Sequence, residues 1–255
     1  MSNTPPRSAL ANAWILDARF RIDYNTGAEG SPTSPAEFKG FCEAGGTKTW
    51  AQVPGLRSKY FTITEDEQHG SGIYTFLTRA DIDNYMQSDL FKGFGSFPHI
   101  KDLDIKVYQV LSGSEITMDM GTWPSGGDKP NRSDIESAVI FYPTFDIKYD
   151  TGAEGSPTTP EQFAGALIEP MMFAKMWHVS NVPWLRSKYF TLNEDKTRGT
   201  GVYTFTSQAH LDAYLKSETL AFFKTLPHIV NLKVDVYNVI GGTEFTMAVN
   251  PWPAG

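Results

Sequence analysis

Residues Leu56–Tyr85 read LRSKYFTITEDEQHGSGIYTFLTRADIDNY, and residues Leu185–Tyr214 read LRSKYFTLNEDKTRGTGVYTFTSQAHLDAY. A chain that states one segment twice is constrained to build two copies of one unit. The match continues upstream, where Phe20–Pro35 (FRIDYNTGAEGSPTSP) returns as Phe145–Pro160 (FDIKYDTGAEGSPTTP). The offset is 125 residues there and 129 from Leu56 onward, holding to Met118 and Met247. The second copy therefore carries four extra residues between Pro160 and Leu185. A period this long means tandem domains, since solenoid repeats run about 20–50 residues. The division expected is residues 1–120 for the first repeat, 121–137 for a polar Gly/Pro-rich linker and 138–255 for the second repeat.

Each copy opens on alternating apolar and polar residues, Phe20-Arg21-Ile22-Asp23-Tyr24 and Phe145-Asp146-Ile147-Lys148-Tyr149, the period of a half-buried strand. After a Gly/Ser/Pro loop, Ser34-Pro35-Ala36-Glu37 reads as a helix start, with Ser at N-cap, Pro at N1 and Glu at N3. Thr159-Pro160-Glu161-Gln162 repeats the device. Lys59–Thr62 and Ile73–Phe76, joined by a polar turn with Gly70 and Gly72, predict a hairpin. Thr78 and Ser207 can cap a second helix, whose buried stripe would be Ala80, Ile82 and Tyr85, or Ala209, Leu211 and Tyr214. Pro98-His99-Ile100 and Pro227-His228-Ile229 open a last strand, Leu103–Val110 or Leu232–Ile240. The order is β-α-β-β-α-β, so the fold class expected is α+β, two tandem ferredoxin-like repeats. Such a unit covers one sheet face with helices, and two units in one chain can cover each other's open faces.

The bulk properties exclude more than they assign. The formal net charge of -7 and the lack of a basic run argue against nucleic acid. No stretch approaches the roughly 20 apolar residues of a membrane span, and the N-terminus reads as no secretion signal, so a cytoplasmic protein is expected. The single cysteine, Cys42, lies in an apolar helical context with Phe38 and Phe41 and reads as a buried structural thiol.

Lys188-Tyr189-Phe190-Thr191, the acidic hairpin, Gly199–Phe205 and Ala209…Ala213-Tyr214-Leu215 resemble the core of the YdhR-type monooxygenase-like family. That core reads roughly K-[VIY]-[WF]-T-x-x-E, a turn, G-G-[IV]-Y-x-F and A-x-x-A-Y-L. The first copy matches through Lys59, Thr62, Gly72–Phe76, Ala80 and Tyr85, and departs at Asn84 where the second copy has Ala213. The resemblance implies a dimeric α+β barrel with both halves fused in one chain. It also implies a monooxygenase-like activity, by analogy with antibiotic-biosynthesis monooxygenases.

No HExxH, CxxC, P-loop or strand–GxGxxG–helix is present, so a site without metal or bound coenzyme is the simplest expectation. The pocket is expected inside the barrel, between the sheet and its covering helices. Arg21, Asp23, Asp104 and Lys106, with Asp146, Lys148, Lys233 and Asp235, occupy the strand face turned away from the helices. They line either the barrel interior or solvent-facing strand ends. His99 and His228 recur at equivalent places, either as site residues or as a turn preference. His178 has no counterpart and lies in the divergent stretch 168–184, beside Phe173, Met176 and Trp177. His69 and His210 read as exposed. Arg57, Arg186, Lys59 and Lys188 read first as edge-strand charges that blunt sheet pairing; alternatively the arginines hold an anion. Tyr60, Tyr189, Tyr74 and Tyr203 are cavity-lining or packing aromatics.

The reading that results is a small-molecule enzyme oxidising an aromatic or enolisable, polyketide-like substrate by general-base deprotonation. The candidate bases are His178, His228 and His99. Arg186, Tyr189, Trp177, Tyr203, Arg57, Tyr60, Met176 and Phe173 are the candidate substrate contacts. An isomerase, cyclase or lyase would use the same groups, and a non-catalytic ligand-binding module is the alternative outside enzymes. The fused copies predict a monomeric pseudo-dimer that completes its barrel within one chain, with further association through outer surfaces left open.

Overall fold

A computed structural model of the chain describes residues 13–45, 47–50, 52–111, 116–117, 138–168, 182, 185–241, 243 and 245–246. The first repeat contributes β1 (Trp14–Ile22), α1 (Pro35–Ala44), the single turn α2 (Thr47–Trp50), β2 (Leu56–Ile63), β3 (His69–Phe76), α3 (Arg79–Gln87), α4 (Asp89–Gly95), β4 (Ile100–Val110) and β5 (Ile116–Thr117). The second contributes β6 (Val139–Ile147), α5 (Pro160–Ile168), β7 (Leu185–Leu192), β8 (Arg198–Phe205), α6 (Gln208–Leu215), α7 (Glu218–Phe223), β9 (Ile229–Val239) and β10 (Phe245–Thr246). The β-α-β-β-α-β order is present twice, with a short second-half helix in each copy, α4 and α7, that the sequence reading did not separate.

The helix starts follow their capping residues. Ser34 accepts the Glu37 amide at 3.3 Å with Pro35 in the first turn, and Thr159 accepts the Gln162 amide at 3.2 Å. Thr78 forms a capping box with Asp81, and of the expected stripe α3 buries Ile82 and Tyr85 but leaves Ala80 exposed.

All strand pairings are antiparallel, in the order β2-β3-β1-β4-β7-β8-β6-β9, and β9 pairs back onto β2 to close a barrel. The two seams are equivalent under the repeat: Val110 pairs with Thr191 at one, Val239 with Thr62 at the other. The final strand of each copy crosses over. β5 pairs with β7, and β10 pairs with β2, so each half lends a short strand to the other's sheet.

The closed sheet separates three apolar layers. One lies between the first repeat's helices and sheet, around Phe20, Phe38, Phe61 and Tyr74. Its counterpart in the second repeat surrounds Phe145, Phe163, Phe190 and Tyr203. The third fills the space between the two sheets, with Ile15, Tyr60, Ile73, Tyr142, Tyr189, Val202 and Tyr237. The hairpin glycines serve this packing. A Cβ on Gly70 would stand 2.7 Å from the Phe20 ring, and one on Gly72 would stand 2.6 Å from the Tyr74 ring. Gly199 faces Phe145 in the same way, at 2.5 Å, and Gly201 faces Tyr203. The Gly-x-Gly pattern in both copies is thus the space each ring occupies.

Barrel closure corrects one reading. β2 and β7 are not edges, because each has partners on both sides. Arg57, Lys59, Arg186 and Lys188 are all at most 4% exposed and protect no edge from pairing.

Candidate active site

A cavity of about 310 Å³ opens between the first repeat's helices and its sheet. That is the lower end of the range for small-molecule sites, about 300–1,000 Å³. Its walls are mainly aromatic: Phe38 and Phe41 from α1, Trp50 from α2, Phe61 from β2, Phe94 from α4 and Phe97 beyond it. Phe41 and Phe97 meet edge to face with ring centroids 5.0 Å apart, and Phe97 is 37% exposed, so the pair stands at the rim. Cys42, Thr49, Asp89 and His99 supply the polar atoms.

His99 is held by rings rather than by hydrogen bonds. Phe97 stacks on it at 5.4 Å, while Phe41 and Phe38 meet it edge-on at 4.9 and 5.9 Å. The side chain is 1% exposed, and neither ring nitrogen has a hydrogen-bond partner. Burial holds its pKa below the ordinary 6.5, so the imidazole is neutral. A neutral imidazole carries one N–H and one lone pair, and leaving either unmet inside a protein costs about 1–3 kcal/mol. A ligand hydroxyl or carbonyl in the cavity would relieve that cost.

Two further titratable groups flank the cavity. Burial pushes the Cys42 thiol up to about 12, against the opposing pull of nearby Lys59, so it stays protonated. This agrees with the reading of a buried structural thiol. Lys59 lies behind the Trp50 and Phe61 walls, with Nζ 4.1 and 3.6 Å from their ring centroids, and donates to the Thr243 carbonyl at 3.0 Å. Among the described residues no carboxylate pairs with it, and burial pulls its pKa down to about 7. Sequence reasoning assigned Lys59 to a sheet edge. Its retention in both copies, between β-forming neighbours, was the available signal.

The second repeat repeats part of this arrangement. His228 is buried against Phe163 at 5.5 Å, its Nδ1 is without a partner, and burial lowers its pKa. Lys188 stands over Phe190 at 3.6 Å, as Lys59 does over Phe61. Phe41, Cys42 and Phe97, however, correspond to Ala166, Leu167 and Leu226. His178, Trp177, Met176 and Phe173 lie outside the described residues.

The remaining sequence candidates gather elsewhere. Arg57 lies over the Tyr189 ring at 5.4 Å and Arg186 over the Tyr60 ring at 6.0 Å, a reciprocal pair across the barrel. These four residues occupy the space between the sheets, on the opposite face of the sheet from His99. Tyr203 packs in the second helix–sheet core against Phe141, Tyr214 and Phe190. The charged strand faces turn away from the helices; Arg21 pairs with Asp102, Lys106 with Asp104 and Arg198 with Asp146 at their partly exposed ends, whereas Asp235 reaches Arg19 of the other repeat. His69 is exposed, whereas His210 is half-buried and its Nδ1 lies 2.8 Å from the Thr206 and Ser207 hydroxyls. Among the described residues no group of three or more His, Cys, Asp or Glu side chains could hold a metal, and no helix is long and apolar enough to cross a membrane.

Comparison with known proteins agrees with this architecture. Residues 36–118, which build most of the cavity, match the family described as "Putative mono-oxygenase ydhR". The chain folds as two ferredoxin-like repeats whose strands close into one α+β barrel, and its first repeat resembles the YdhR family. A crystal structure of a "putative monooxygenase" from Fusobacterium nucleatum aligns over 95% of this chain and 98% of its own, with a TM-score of 0.64 and 10% identity. One from Lactobacillus acidophilus aligns over 94% and 99%, with a TM-score of 0.61 and 11% identity. An anthrone oxidase-like protein aligns over 90% and 91%, with a TM-score of 0.51 and 14% identity. At these identities the likeness is one of fold, and the two-sided coverage shows that both repeats are matched within single chains. No curated protein matches the sequence.

Proposed function

We propose that this protein is a monooxygenase-like enzyme that oxidises a small aromatic or enolisable substrate in the first-repeat cavity, with His99 as the general base. The observation that carries the reading is His99 itself: buried, neutral, and with both ring nitrogens unpartnered at the wall of an aromatic cavity. The family match over residues 36–118 and the monooxygenase-like structures of the same fold support it. A neutral imidazole with a depressed pKa can take a proton from a phenol, an enol or an activated CH₂. The resulting anion is electron-rich enough to reduce dioxygen. If a CH₂ becomes a carbonyl, one oxygen atom enters the product and the other leaves as water, so the substrate supplies all four electrons. No external reductant or coenzyme is then required. The apolar walls bind the ring system and exclude water from the anion.

The test is oxygen uptake by the purified protein with a panel of phenolic and polyketide-like compounds, with binding followed by Trp50 fluorescence. His99→Gln should keep the fold and the binding and lose turnover by at least a hundredfold. Turnover that persists without oxygen would identify an isomerase, cyclase or lyase. Tight binding without turnover, indifferent to His99→Gln, would identify a binding module, a reading favoured by the few polar groups in the cavity.

A further inference from the structure

The two sheets face each other through residues whose charges are related in a specific way. On β1 and β4 the first repeat places Asp17, Arg19, Asp104 and Lys106. The registers of the two sheets are equivalent there: Asp17 is opposite Lys106 and Arg19 opposite Asp104, as Tyr142 is opposite Asp235 and Thr144 opposite Lys233. At none of these four positions do the repeats share a charge. Asp104 becomes Lys233 and Lys106 becomes Asp235, while Asp17 and Arg19 become the neutral Tyr142 and Thr144.

Arg19 is where this difference meets the other half. Its Nη1 donates to Asp235 at 2.6 Å, and its guanidinium lies 4.7 Å from the Tyr142 ring centroid and 5.8 Å from that of Tyr237. Its Nε is fixed by Asp17 at 2.7 Å, and Asp17, 1% exposed, is further held by the Ser71 hydroxyl at 2.8 Å. The position equivalent to Asp235 in the first repeat is Lys106. Two first repeats paired in this geometry would set Arg19 against a lysine, whereas two second repeats would set Thr144 against Asp235 and gain no ion pair. A second cross-repeat ion pair among the described residues, Arg79–Glu194, does not reject two first repeats, because Glu65 stands at the position equivalent to Glu194, though two second repeats would lose it, with Gln208 in place of Arg79.

We infer that the inter-sheet surface of each repeat is coded by charge for the unlike repeat, with Arg19 the residue that accepts the second half and rejects a second copy of the first. An opposite charge rewards the intended partner, and a like charge in the same place penalises the wrong one. This inference is independent of the catalytic reading.

The test uses the full chain and places the first repeat's residue into the second. Asp235→Asn, which removes the ion pair, should lower stability slightly. Asp235→Lys should lower the folding equilibrium constant about threefold or more beyond Asp235→Asn in low-salt urea unfolding. That excess should shrink as salt is raised. In a neutral background, Asp17→Asn with Arg19→Met, the Asn and Lys variants at position 235 should be equal. If the neutral background does not fold, the salt series on Asp235→Lys decides alone. Equal stability of the two variants beside native Arg19, an excess that persists in the neutral background, or one that salt leaves unchanged would overturn the inference.

Discussion

Lys59 holds its Nζ 3.6 Å from the centroid of the Phe61 ring, on the helix side of a closed barrel, at 1% exposure. The ring face and the Thr243 carbonyl compensate only part of the lost hydration, so the amine is held near a pKa of 7 against about 10.4 in the unfolded chain. Between these values the unfolded state binds a proton that the folded state does not. Stability therefore rises with pH from about 7 to about 10.4. Lys59→Met should flatten that rise and add on the order of 2 kcal/mol at pH 6. Urea unfolding of both proteins from pH 6 to 10 measures it, and parallel curves would exclude Lys59 as the source.

His99 acts in a lower window. Its folded pKa lies below the ordinary value because of burial, so the unfolded chain takes up the proton first as pH falls through about 6.5. The contribution is fully present above that point and is lost as pH falls below it. His99→Phe should remove this part of the acid sensitivity, seen as a shallower loss of melting temperature between pH 6.5 and 5. An unchanged slope would mean that His99 is protonated without penalty in the folded state.

Cys42 is the single cysteine, which makes its reactivity simple to read. With its thiol raised to about 12, the thiolate fraction at pH 8 is about a thousandfold below that of an ordinary thiol of pKa near 8.5. Labelling of the native protein with a thiol-disulfide reagent should be at least a hundredfold slower than labelling of the urea-unfolded protein. Comparable rates would place the thiol in a wet or cationic setting.

Gly72 faces Tyr74 so closely that an added methyl would stand 2.6 Å from the ring. Tyr74 is fully buried, which leaves the ring little room to retreat. Gly72→Ala should cost about 1–3 kcal/mol, as overpacking does. Gly93→Ala, at a helix position with open space around the added carbon, should be neutral or stabilising by up to about 1 kcal/mol. Thermal unfolding of the pair separates a steric effect from a general intolerance of substitution.

The local features were legible in the residues. Ser34, Thr78 and Thr159 announced helix starts, and the alternating Phe20–Tyr24 announced a strand, which the structure places at Trp14–Ile22; Gly70 and Gly72 read only as turn residues, and the structure puts them inside β3, where they leave space for Phe20 and Tyr74. The repeat itself implied two ferredoxin-like units. The candidate site was legible only in part. His99 and Cys42 were singled out, but nothing in the local pattern joined them to Trp50, Phe94 and Phe97, which come from separate elements.

What the sequence determined alone was therefore the unit, its element order, its caps and the fact of its duplication, because these depend on neighbours within a few residues. What the tertiary structure decided was which strands are edges, which strand face meets the other half and where space remains. Lys59 alternates along β2 just as an exposed edge lysine would. It is buried because β10 and β3 pair on either side of it and Trp50 closes over it, contacts set by segments far apart in the chain. A strand's period of two states that it has two faces. Only long-range closure of the barrel assigns one face to the other repeat and the other to the helices.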